Sequence, residues 1–111
     1  MPTINIFYSN PDYEAKLDTF ARNARDYFAK ELSCRDKSLH ASEISIRLLP
    51  VKGSMIADVE IEMTAHAFKE RVERQVEICL EIRNHIRKSL DLESVMVWLI
   101  LPQLGHSWDE Q

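Results

Sequence analysis

A proline stands directly behind the initiator methionine in Met1-Pro2-Thr3-Ile4-Asn5-Ile6-Phe7, at the head of an apolar run. Loss of Met1 would leave Pro2 as a free secondary amine on the end of a strand. Proline is tolerated there because the first residue of a strand need not donate a backbone proton. An α-amino group has an ordinary pKa of roughly 7.7–8.0, and apolar burial pushes an amine below its ordinary value. Such a base is well matched to taking a proton from the carbon beside a carbonyl at neutral pH. With Met1 attached, the same nitrogen is an amide and offers no basicity. Pro2 therefore reads either as a general base or as an ordinary strand-starting proline.

Four other side chains could serve that chemistry. Arg47 projects from a strand-like run, where it could stand as an unpaired cation. It could equally pair with Glu60 or Glu62 across a hairpin. Lys37 and His40 stand in a polar connection, as pocket cations or as solvated loop residues. Trp98, in the last apolar run, offers an apolar wall (Phe7 is the other choice) or a core or interface side chain.

Other chemistries find little footing. The four histidines show no metal spacing: His66 and Glu70 share a helix face without an HExxH pattern or a third ligand. Two isolated glycines cannot build a phosphate loop. No metal and no cofactor are expected. Cys34 and Cys79 form no CxxC pair; Cys79 falls in a helical apolar stripe, and Cys34 follows a helix with no base beside it in sequence.

The bulk properties bound the rest. A chain of 111 residues reads as one domain spanning 1–111. A net charge of −4 argues against nucleic acid as a partner. No apolar run approaches the ~20 residues of a membrane helix, and the start does not read as a signal peptide. Reduced thiols and a cytoplasmic setting follow as expectations.

The elements that must position these residues come in the order strand-helix-strand, twice. Residues 3–9 place Ile4, Ile6 and Tyr8 on one face. Asn10-Pro11-Asp12 caps a helix whose stripe is Tyr13, Leu17, Phe20, Ala24, Phe28 and Leu32. A polar connection over 33–42 leads to a strand through Ile44, Ile46, Leu48 and Val51. The third strand, 56–63, alternates Ala57, Val59, Ile61 and Met63 against Asp58, Glu60 and Glu62. Thr64 is placed to cap a second helix over 65–90, with Phe68, Val72, Val76, Cys79, Ile82 or Arg83, Ile86 and Leu90 inward. Its interleaved charges, such as Glu70 and Arg74, read as a solvated face of i,i+4 pairs. The last strand, 94–101, is apolar on both faces, so both faces should be covered, the second by another subunit. Each half ends in a Leu-Pro pair, Leu49-Pro50 and Leu101-Pro102, 52 residues apart, consistent with a duplicated βαβ unit.

Met1-Pro2, two βαβ units and an oligomer-seeking sheet together resemble the tautomerase superfamily. That group includes macrophage migration inhibitory factor, 4-oxalocrotonate tautomerase and 5-carboxymethyl-2-hydroxymuconate isomerase. The stretch from Gly53 to Gln111 also resembles a small bacterial family with this fold. The resemblance implies an α+β fold with a four-stranded sheet, two helices on one face, and a homotrimer. It also implies that the Pro2 amine shuttles a proton between carbon and oxygen of a small anionic keto-enol substrate. Arg47, Lys37 and His40 would be the cations that bind this acid, and Trp98 a wall. The tail from Pro102 to Gln111 carries Trp108 among polar residues and is expected to dock on a neighbouring subunit. The alternative is a non-enzymatic oligomeric module on this fold or on the ferredoxin-like fold, which shares the element order.

Overall fold

In the computed structural model, residues 2–102 are described. Trp108 and its proposed docking lie outside them. The strands are β1 (Thr3–Tyr8), β2 (Ser45–Pro50), β3 (Val59–Thr64) and β4 (Val95–Ile100), and the helices are α1 (Glu14–Asn23), α2 (Arg25–Leu32), α3 (Lys69–Glu73) and α4 (Gln75–Ser89). One mixed sheet has the order β2-β1-β3-β4. β1 runs parallel to β2 and antiparallel to β3, and β3 runs parallel to β4. The fold is α+β, built from two βαβ units placed back to back.

The register tests the duplication. Thr3 pairs with Ser45, and Val59 pairs with Val95. Because Thr3 and Val59 face opposite sides of the sheet, the like-facing match is Ile4 with Val59 and Ile46 with Val95, which sets Pro50 against Leu99, with Pro102 three residues further on. The two Leu-Pro pairs are out of step with the structural repeat, although the repeat itself is present.

Strand alternation places Ile4, Ile6, Val59, Ile61 and Met63 on the helix side, all without exposed surface. Leu17, Phe28, Leu32, Ile78, Ile82 and Ile86 cover them from the helices. The opposite parity puts Asn5, Phe7, Arg47, Leu49, Glu60, Glu62, Met96, Trp98 and Ile100 on a sheet face that no described helix covers.

Both expected helices are broken. The first begins as a 3₁₀ turn at Pro11–Tyr13, with Asn10 Oδ1 accepting from the Asp12 amide at 2.9 Å. It then breaks at Ala24, where φ is −98° and ψ is 0°. The apolar stripe survives because Leu17, Ala24, Phe28 and Leu32 stay buried. Thr64 caps nothing: it is the last residue of β3, paired with Thr3. Phe68 is extended, the helix starts at Lys69, and a second break at Arg74 (φ −101°, ψ 12°) divides it. Val72 and Val76 are 51% and 72% exposed, and Ile78, Ile82 and Ile86 take the inward positions. α4 ends with Asp91 at φ 52°, and the Leu92 amide donates to the Arg87 carbonyl at 3.0 Å. This is a Schellman-type stop with aspartate where glycine is more usual.

Candidate active site

β1 starts, α2 ends, β3 ends and α3 begins at one end of the sheet, and Pro2 is there. Pro2 is buried. Its carbonyl accepts from the Ser45 amide at 3.2 Å. Its even-numbered parity, shared with Ile4 and Ile6, directs it to the helix side. One step beyond the Thr3–Thr64 pair, the register sets it beside Ala65. The Ala65 amide is in turn spent on the Ile100 carbonyl at 3.1 Å. A backbone bond to the start of β2 thus ties Pro2 down on one side, and the β1–β3 ladder begins at the next residue, Thr3.

The next residue, His66, leads to a charge that the sequence reading assigned to the solvated face. Arg71 is 2% exposed. Its Nε donates to the Leu32 carbonyl at 2.8 Å and its Nη1 to the His66 carbonyl at 3.0 Å. The guanidinium lies 5.2 Å from the centroid of the Phe68 ring. Its Nη2 is buried with no hydrogen-bond partner among the described residues, as is His66 Nδ1. No carboxylate neutralises it among the described ion pairs. Burial lowers the guanidinium pKa, and the nearby Cys34 opposes that shift. Arginine remains charged in proteins, so an uncompensated positive charge is held within the Pro2 end. The helical period carried the signal: Arg71, Ile78, Ile82 and Ile86 recur at intervals of seven, four and four.

The other expected residues divide. Lys37 and His40 are at this end, in the connection from α2 to β2, and both are exposed. Lys37 Nζ lies 3.4 Å from Glu43 Oε2. Backbone bonds between Cys34 and Lys37, at 2.9 and 3.0 Å, close a tight turn. Glu70 accepts from the Arg35 amide at 2.7 Å, and chiefly this bond holds its carboxyl below the usual carboxylate range. The expected Glu70–Arg74 pair is replaced by Arg35–Glu70 and by Arg74–Glu77 at 3.5 and 2.9 Å.

Arg47 and Trp98 lie on the uncovered sheet face, away from the side that Pro2 faces in the same copy. Arg47 is exposed and has no ion pair among the described residues. It cannot pair directly with Glu60 or Glu62, because β1 separates β2 from β3. Its register partner is Asn5, whose neighbour in turn is Glu62, paired with Trp98. The Asn5 Oδ1 in this row is buried without a partner. A hollow of about 500 Å³ on this face is lined by Phe7, Met55, Glu60, Glu62, Trp98 and Ile100, among others.

No family model matches the sequence, and neither does any curated protein. Solved structures do match the fold. A macrophage migration inhibitory factor-like protein from Entamoeba histolytica superposes with a TM-score of 0.66 at 10% identity, over 96% of this chain and 95% of that one. A 5-carboxymethyl-2-hydroxymuconate delta-isomerase gives 0.64 at 16%, over 100% of this chain and 87% of the other. Malonate semialdehyde decarboxylase gives 0.61 at 13%, over 97% and 89%, in a study that includes a variant with its first-position proline replaced by alanine. The tautomerase resemblance drawn from the sequence holds at the level of fold.

Proposed function

We propose that this chain, which has the tautomerase fold, moves a proton beside the carbonyl of a small keto-enol acid, with the Pro2 amine as base once Met1 is removed. The observation that supports this most is the placement of Pro2: buried, at the head of β1, and bonded through its carbonyl to the Ser45 amide of β2. A structural neighbour studied with its own first-position proline replaced adds weight to that position.

The proposed chemistry needs only one group to shuttle. The neutral ring nitrogen takes a proton from the carbon next to the carbonyl, and the C–H electrons move into an enolate. The resulting ammonium returns the proton to the enolate oxygen, which restores the amine and completes the tautomerisation. Arg71 contributes a fixed positive charge near this end, which favours the neutral amine and attracts a carboxylate. Lys37 and His40 are the accessible cations through which an acid would approach. Arg47 and Trp98 enter such a site only from a neighbouring copy, since in their own copy they occupy the other face.

The same reading includes a homotrimer that covers the exposed sheet face, as the resemblance implies. Among the described residues no helix is long and apolar enough to cross a membrane, and with two free cysteines we place the protein in the cytoplasm.

Intact mass of protein from its own host should show Met1 absent. Processed protein should accelerate ketonisation of a phenylpyruvate-type enol, and Pro2→Ala should lose roughly 10²–10⁴-fold, the usual range for a general base. Equal rates in mutant and parent would end the proposal.

A further inference from the structure

We propose a second binding site, at the opposite end of the helix layer from Pro2, that takes a small aromatic carboxylate. It lies in the groove between the α1–α2 break and the last two turns of α4. α4 runs away from the Pro2 end, so His85 to Leu90 are at its far end, where α1 begins. The cavity has a volume of about 470 Å³, within the range of small-molecule sites.

Ala24, at the break, presents only a buried methyl to the groove, and Phe20 and Tyr27 flank it. The Tyr27 ring stacks on His85, with centroids 4.0 Å apart and planes 19° from parallel. Tyr27 and Phe20 each meet Phe28 edge-on, at 5.4 and 6.1 Å. Because buried Phe28 holds both rings, the walls are set before a ligand arrives, and flat aromatic walls favour a planar ring.

Charge selects the acid. Lys16 and His85 line the cavity and, among the described residues, no carboxylate does, the nearest to its walls being Glu31 and Glu81 beside Tyr27, in a chain of net charge −4. The Lys16 ammonium is anchored on the Leu90 carbonyl at 2.7 Å and lies 4.9 Å from the Tyr13 ring. One of its three protons is used there, and it has no ion pair among the described residues. Two protons remain for an anion at the rim. The site does not depend on Pro2 being a base.

The test is an amide NMR titration of the full chain with 2-naphthoate, with 2-naphthamide as the uncharged probe. Saturable shifts over residues 19–27 and 85–90 are expected for the acid, in Pro2→Ala protein as well as the parent. Lys16→Gln should weaken the acid roughly tenfold, as loss of a charged hydrogen bond would, and leave the amide unchanged. Ala24→Leu should fill the groove and abolish both. If Ala24→Leu unfolds, the Lys16→Gln comparison still decides. No saturable shift at millimolar ligand, shifts confined to the Pro2 end, or equal acid affinity in Lys16→Gln would each overturn the proposal.

Discussion

On the helix side of the sheet, Ile4, Ile6, Val59, Ile61 and Met63 have no exposed surface, whereas on the other side Trp98 and Ile100 keep 43% and 45% of theirs. Both faces are drawn from the same strands, so strand propensity does not separate them. The helix side is apolar, aliphatic but for Tyr8 at the end of β1, and packed under α1, α2 and α4. The other side alternates by strand: Arg47 and Leu49 on β2, Asn5 and Phe7 on β1, Glu60 and Glu62 on β3, Met96 and Trp98 on β4. Its cation stands at one sheet edge, and its carboxylates lie towards the other. A copy placed edge to edge would bring Arg47 beside the neighbour's carboxylates and Trp98. One face thus has the chemistry of a core, and the other that of an interface, with an aromatic anchor among charges.

The largest expected break of this contrast is on the sealed side. Ile82 is fully buried between α4 and the sheet, and Ile82→Ala should cost about 2–5 kcal/mol through lost transfer energy and a residual cavity. Urea unfolding would read this as a lower midpoint at unchanged slope; a midpoint equal to the parent's would mean that this side is not a close-packed core.

Trp98→Ala should do the reverse. Half-exposed in the single copy, its ring supports assembly rather than folding in the proposed trimer. A loss of about 2 kcal/mol per contact, typical of an aromatic hot spot, should lower the mass seen by light scattering at micromolar protein. Unfolding of the isolated copy should shift far less than for Ile82→Ala. An unchanged mass would show that this face is not the interface.

How far the sequence carried this contrast can be read from single residues. The strict alternation of Val59, Ile61 and Met63 against Glu60 and Glu62 gave the faces of β3 correctly, and the apolar run of β4 is covered on one face, with Trp98 and Ile100 exposed on the other. Pro2 and Arg47 were both legible as candidates, and parity already set them apart: Pro2 runs with Ile4 and Ile6, and Arg47 runs against Ile46 and Leu48. The inner face of the second helix was legible in part: Ile82 and Ile86 were read as inward and are buried, but Val72 and Val76, with the same four-residue spacing, are exposed. No proline or glycine marks the break at Arg74. Thr64 had the chemistry of a cap but was taken by the ladder. Arg71 was hidden among glutamates, and only the phase of the isoleucines shows that it points inward.

The smallest effect sharpens the contrast within the helix layer, where Glu31 of α2 faces Glu81 of α4. Partial burial, and then the hydrogen bond and charge of Glu81, raise the Glu31 carboxyl above its ordinary value, while Arg74 and Lys30 oppose the shift. Tyr27 beside them is pushed up by burial and by the same two carboxylates. A folded-state pKa above the unfolded one means that the native state binds the proton more tightly. The contribution to stability is therefore present below the unfolded value, near 4.5, and is lost as pH rises through the higher folded value. Glu31→Gln removes that loss. It should stabilise the protein at pH 7 by roughly 0.5 kcal/mol, a size set by solvent screening of a largely exposed pair, and the gain should vanish near pH 4. Parallel thermal melts of mutant and parent across this range measure the difference. A gain that persisted into acid would mean that Glu31 was costing stability by its packing, not by its charge.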